Sequence, residues 1–293
     1  MVAERTLLDF YTRTAAMTEP GGHAAAFAAL PRDLAGLCRV GQGLYIHEHI
    51  AARYGVVLAD DRRVEVHLRR TSARLDCLVA RDDRPLMEAR PPAERLTANC
   101  RHYSVLLAAT LRAQGVPTRA RCGFGSYFEP GRFVDHWVCE VWDAEPGRWR
   151  LVDAQLDGLQ RDLFGTDFDV LDVPRDRFVI AGDAWARCRA GEADPERFGI
   201  LDMAGLWFIA GNLVRDVAAL NNIELLPWDV WGAMPRPGEP ISDEQLTLFD
   251  HLAALTHDPD TAFAELRAMY ESDARLRVPP VVFNAVLNRP EAW

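Results

Sequence analysis

There is no lysine in this 293-residue chain; every one of its 33 basic side chains is an arginine. Codon usage in a GC-rich genome is the plainer explanation, but the chemical consequence holds whatever the cause. A Schiff-base lysine, a P-loop lysine and a serine–lysine dyad are all excluded. The six cysteines, Cys38, Cys77, Cys100, Cys122, Cys139 and Cys188, show no Cys-x-x-Cys or other close pairing. A disulfide framework and a zinc site both need such spacing, so neither is expected, and no metal is assigned. No run of ~20 apolar residues occurs, so no membrane partner is expected. The start, Met1-Val2-Ala3-Glu4-Arg5-Thr6, lacks the charged-then-apolar pattern of a signal segment, which predicts a cytoplasmic protein with reduced thiols. A formal charge of -10 argues against a nucleic-acid surface. Gly123-Phe124-Gly125 is too short for a phosphate loop and there is no Asp-x-Asp-x-Asp-Gly calcium loop, so no cofactor is expected.

What is present is an ordinary globular composition, 49% hydrophobic and 26% charged. No internal repeat or low-complexity linker divides the chain, which reads as a single domain over 1–293 with three sections. Residues 1–94 form a helical flank. Leu44, His47, Ile50, Ala51 and Tyr54 fall on one helical face with Gly55 as the stop, and Val64, His67, Leu68, Thr71, Leu75, Leu78 and Val79 make a second stripe. Residues 95–157 change character. Cys100 opens an apolar helix that Gly115-Val116-Pro117 ends. Three strand-like runs follow, Thr118 to Phe124, His136 to Trp142 and Trp149 to Asp153, the last two joined as a hairpin by Glu145-Pro146-Gly147. Residues 158–293 are mixed, then helical. Ser242 with Gln245 predicts a capping box and a helix through Leu255, and Asp258-Pro259 predicts a helix start leading to about Arg275.

The chemistry concentrates in the middle section. Cys100 follows Asn99, a good N-cap, and so sits where free backbone N–H groups stabilise an anion. Such thiols have pKa values lowered into the range of about 3.5–7.5, and the same N–H groups serve as half of an oxyanion hole. A small buried hydrophobe is the plainer reading of any free cysteine. His136 lies in an alternating strand beside Asp135. Asp153 ends an apolar Leu-Val pair, where a carboxylate is costly without a partner, although a turn residue after the hairpin explains it too. Together they supply a nucleophile, a base and a group to orient the base.

These segments resemble the transglutaminase-like superfamily. Asn99-Cys100-Arg101-His102 through Arg112-Ala113-Gln114-Gly115-Val116-Pro117-Thr118-Arg119 is similar to its cysteine helix and the arginine–x–x–glycine–(isoleucine or valine)–proline–x–arginine segment that follows. Asp135-His136-Trp137-Val138 with Glu140-Val141-Trp142 is similar to its histidine strand, and Trp149-Arg150-Leu151-Val152-Asp153 to its tryptophan-to-aspartate strand. The match spans roughly residues 95–157, in the family order. The resemblance implies an α+β, papain/transglutaminase-like core: a nucleophile helix packed on a small antiparallel sheet, wrapped by N- and C-terminal helices. It implies Cys100 as nucleophile, His136 as general base and acid, and Asp153 as the orienting carboxylate. The expected activity is cysteine-dependent acyl transfer through a thioester, forming or cleaving an amide on a small molecule or peptide, with an amine or water as acceptor. A cysteine protease or amidase, and a non-catalytic binding protein with a degenerate core, are the alternatives.

The family's second oxyanion donor is a side chain upstream of the cysteine, and no motif assigns it here. Gln42, between Gly41 and Gly43, is the candidate. Trp137 is a candidate for the acyl pocket, with core packing as the alternative. His102 forms a Cys-x-His pair with Cys100 that has no matching second pair. Trp228-Asp229-Val230-Trp231 reads as core packing or as an aromatic wall of a groove.

Overall fold

The computed structural model describes residues 2–293. Its centre is a six-stranded sheet made from β3 (Thr118–Gly125), β4 (Phe133–Asp143), β5 (Arg148–Val152), β6 (Phe178–Ile180), β7 (Phe198–Ile200) and β8 (Met203–Ala204). The order is β6-β3-β4-β7-β8, with β5 also paired to β4. Two further short strands, β1 (Tyr45–His47) and β2 (Leu96–Ala98), pair in parallel elsewhere. β3 and β4 run antiparallel from Thr118 opposite Val141 to Gly125 opposite Val134. The expected β4–β5 hairpin forms, with Cys139 opposite Val152. Gly147 turns it with φ 80°, a conformation that costs glycine little, and its N–H donates to the Asp143 carbonyl at 2.9 Å.

Cys100–Ala113 is the expected helix, and its residues are buried from Cys100 to Arg112. A helix buried on all sides must satisfy its polar side chains internally. Arg112 does so by donating from Nε to the Thr118 carbonyl at 2.8 Å and by pairing with Glu224 at 3.1 Å. The arginine and glycine of the Arg112-to-Arg119 motif thus join helix end to β3, Gly115 making the turn with φ 80°. A second buried helix, Leu206–Leu220, packs against β3 at the heart of the largest apolar cluster. Gly123, opposite His136, permits β6 to close on β3: a Cβ there would lie 2.3 Å from the Val179 carbonyl oxygen.

Three expectations for the flanks are corrected. The stripe from Leu44 to Tyr54 is not a helix. A helix over Leu34–Leu44 ends there, Tyr45–His47 extends as β1 against β2, and only a short 3-10 turn, Ala51–Tyr54, precedes Gly55. Parallel pairing with a segment some fifty residues on overrides the local spacing. The second stripe is two pieces, a 3-10 turn over Val64–His67 and a helix over Thr71–Arg81. The last helix runs Phe263–Ser272 rather than from Asp258; Asp258 does cap the Thr261 N–H at 3.3 Å, but a turn intervenes in which Asp260 accepts from Arg119 at 2.5 Å and from the Trp149 indole at 2.8 Å. The Ser242–Gln245 capping box is present and opens a helix over Asp243–His257. No helix among the described residues is long and apolar enough to cross a membrane.

Candidate active site

The chain enters the Cys100 helix through Asn99, whose extended backbone (φ −126°, ψ 178°) sets the N-cap. His102 reaches back to accept the Asn99 N–H on Nδ1 at 3.0 Å, and its Nε2 meets the Leu68 carbonyl at 3.2 Å. Both ring nitrogens are therefore occupied, which gives the Cys-x-His spacing a structural explanation. Cys100 is only 6% exposed, and the backbone N–H groups of Trp137 and Arg101 lie close enough to its sulfur to favour the anion.

Those two N–H groups favour a thiolate, as the helix position predicts, but they are outweighed. Burial raises the Cys100 thiol well above its usual value, and the nearby Asp135 and Asp153 carboxylates raise it further. The shift thus runs opposite to the depressed value expected from the helix position: burial and the two carboxylates favour the protonated sulfur. Iodoacetamide labelling of Cys100 is accordingly expected to be slow at pH 6 and to climb about tenfold per unit between pH 7 and 9, because only the thiolate reacts. A rate already level below pH 7 would contradict this.

His136 faces Asp153 with Nε2 2.8 Å from Oδ2. Asp153 is completely buried just beyond the end of β5. Its cost is met by two more donors, the Tyr127 hydroxyl to Oδ2 at 2.8 Å and the Gln155 N–H to Oδ1 at 3.0 Å. With Nε2 committed to a carboxylate, the ring's unoccupied nitrogen is Nδ1. Phe128 and Tyr127 meet the imidazole edge-on at 4.7 and 5.9 Å between ring centres and hold its plane.

Cys100 and His136 line one cavity of about 640 Å³. Asn99, Asp135 and Gln155 contribute polar atoms to its wall, while Phe128, Phe164, Phe208 and Trp228 make it largely apolar. Leu163, Leu201, Met203 and Val286 also line it and are among the exposed large hydrophobic residues of the molecule. His47, His49, Arg53 and His67 enter from the N-terminal flank.

The other two candidates lie elsewhere. Gln42 is not part of the cavity wall; its amide donates to the Ala154 carbonyl at 3.1 Å, tying the helix that carries it to the residue after Asp153. Trp137 is also absent from the wall, and packs behind the sulfur with Cys100, Ala120, Cys122 and Ala219. The Trp228–Trp231 segment divides, with Trp228 at the cavity and Trp231 in the core. Sequence reasoning passed over Tyr127 and His47. Tyr127 lies two residues beyond β3 with no motif around it, and the spacing around His47 points to a helical face although the residue ends a strand.

Comparison with known proteins bears on the same segment. The family model of the transglutaminase-like superfamily matches residues 79–154. No curated protein matches the chain. The crystal structure of a proposed cysteine protease from Cytophaga hutchinsonii aligns over 58% of this chain at 13% identity with a TM-score of 0.32, and the aligned region spans 44% of that protein. The helix and paired strands that bear Cys100, His136 and Asp153, of α+β architecture, all lie within residues 79–154, the segment similar to the transglutaminase-like superfamily.

Proposed function

We propose that this protein is a cysteine-dependent acyltransferase that forms or cleaves an amide on a small molecule or peptide through a thioester on Cys100. The observation that carries the reading is the arrangement around His136. Its Nε2 is held by a buried carboxylate, its Nδ1 has no partner among the described residues, and it shares a cavity wall with a sulfur at a helix start. As substrate binds, His136 Nδ1 takes the thiol proton while Sγ attacks the acyl carbon. The tetrahedral intermediate collapses with return of that proton to the leaving group, and an amine or water then releases the acyl group by the reverse sequence. The largely apolar wall and exposed apolar residues favour transfer to an amine over transfer to bulk water.

The test is acylation by p-nitrophenyl acetate. A stoichiometric burst is expected, with a mass increase of one acetyl group on Cys100, and both vanish in Cys100→Ala. Adding a nucleophilic amine is expected to divert product from acetate to amide. A Cys100→Ala protein with undiminished turnover would eliminate the covalent route, and product unchanged by amine would assign hydrolysis.

A further inference from the structure

The acyl-transfer reading leaves one need unmet among the residues named so far. An acyl carbon attacked by sulfur places a negative charge on its oxygen, and two fixed donors are normally required to stabilise it. The Cys100 backbone N–H, at the first helical position, has no intrahelical acceptor and can serve as one. Gln42 cannot supply the other from its present position, since its amide is spent on Ala154.

We propose that His47 is the second oxyanion donor, presenting a neutral imidazole Nε2–H to the carbonyl oxygen of the acyl substrate. Three observations meet at this residue. The first is position. β1 and β2 pair in parallel with His47 beside Ala98, two residues before Cys100, and the Glu48 N–H donates to the Ala98 carbonyl at 2.8 Å to hold the strand ends together. The imidazole is therefore fixed to the backbone that leads into the Cys100 helix, and it lines the same cavity as Cys100 and His136.

The second is the tautomer. The His49 N–H donates to His47 Nδ1 at 3.2 Å, which requires a lone pair there and puts the ring proton on Nε2. That N–H has no acceptor among the described residues, on a side chain 9% exposed. The residue lines the cavity, so a ligand oxygen there can accept from it. The third is charge. Burial, with repulsion from His49 and His136, pushes His47 down to about 3, so the ring is neutral throughout the working range. A neutral donor stabilises an oxyanion without competing with His136 for the proton.

Asn99 is the rival donor. It lines the cavity, and both atoms of its amide lack partners. The Asn99 side chain is turned to the His102 N–H in the capping box and its amide atoms are buried, whereas the His47 ring lines the cavity and is held at Nδ1, and preorganisation gives such donors most of their effect. In the step itself, the Cys100 Sγ–C bond forms as the carbonyl π pair moves onto oxygen, which accepts from the Cys100 N–H and His47 Nε2–H. Collapse re-forms C=O, breaks the bond to the leaving group, and returns the proton from His136 Nδ1.

The test compares two reactions of the same sulfur in the full-length protein at pH 8.5. Acylation by p-nitrophenyl acetate passes through an oxyanion; alkylation by iodoacetamide does not. His47→Phe is expected to slow the acylation burst by about 10²–10³-fold while alkylation of Cys100 stays within about twofold of wild type. His47→Gln, which restores an N–H, is expected to recover about tenfold of the loss, and Asn99→Ala to have the smaller effect. Acylation of His47→Phe at the wild-type rate, equal loss of acylation and alkylation, or a larger loss in Asn99→Ala would each overturn the assignment. A wild-type protein that p-nitrophenyl acetate leaves unlabelled on Cys100 fails the acyl-transfer reading itself, before His47 is in question.

Discussion

Replacing Asp153 with asparagine is expected to slow acylation of Cys100 by about 10⁴-fold without disturbing the helix or sheet, the scale of loss that follows when a triad imidazole is held in the wrong tautomer. The argument rests on which atoms carry hydrogen. Asp153 Oδ2 is 2.8 Å from His136 Nε2 and can only accept, so the ring proton sits on Nε2 and Nδ1 keeps its lone pair for the thiol. An asparagine whose oxygen stays at the Oδ1 position to accept from the Gln155 N–H puts its NH2 at the Oδ2 position, where Tyr127 and His136 both lie. Facing His136, that NH2 needs a lone pair on Nε2, which moves the ring proton to Nδ1 and disables the base. Tyr127→Phe removes only one of three donors to the carboxylate and is expected to cost about tenfold, in line with one hydrogen bond to a charged group. Burst amplitude and rate with p-nitrophenyl acetate, beside circular dichroism of each variant, measure both effects. An Asp153→Asn protein within tenfold of wild type would remove the case for His136 as an oriented base.

The second large effect concerns stability. Glu140, on β4, is buried and touches three arginines: Arg119 at 2.6 Å, Arg121 at 3.1 Å and Arg175 at 2.9 Å. Arg121 also grips Asp216 with two nitrogens, and Arg119 reaches Asp260. Three carboxylates thus balance three guanidinium groups, and this network ties the sheet to Leu206–Leu220 and to the turn before the last helix. Glu140→Gln leaves two buried guanidinium groups under-compensated and is expected to destabilise the protein by about 3–5 kcal/mol at pH 7. The arginines, Arg119 foremost, outweigh burial and hold the Glu140 carboxyl far below the ordinary value. A depressed carboxyl stabilises the fold above its unfolded pKa of about 4.3 and loses that contribution as pH falls further. The gap between wild type and Glu140→Gln should therefore be full at pH 7 and shrink below pH 4. Urea denaturation at both pH values reads it, and a gap that widened in acid would refute the assignment.

The parts of the core legible in the sequence are those made by neighbours. Asn99 before Cys100, Gly115-Val116-Pro117 after the helix and Glu145-Pro146-Gly147 in the hairpin are local signals, and the helix and the β4–β5 pair form where they indicate. What escaped depends on distant partners. Tyr45–His47 is a strand because Leu96–Ala98 lies beside it, and no spacing within 44–54 carries that information. The direction of the Cys100 shift follows from burial and from Asp135 and Asp153, none of which the helix N-terminus reveals. Gln42 carries a suitable amide, but a sequence cannot say that the Ala154 carbonyl takes it. The cavity likewise draws His47 from before residue 95 and Phe164 and Trp228 from beyond 157, so the motif segment alone does not enclose it.

The raised thiol has a bearing on durability. Peroxide attacks sulfur as the anion, and the ladder from sulfenic to sulfonic acid begins there. A Cys100 that keeps its proton at rest, with 6% of its surface open, gives an oxidant little to react with between turnovers. On the proposed mechanism the anion forms only when His136 accepts the proton, which would keep the sulfur out of harm until a substrate occupies the cavity.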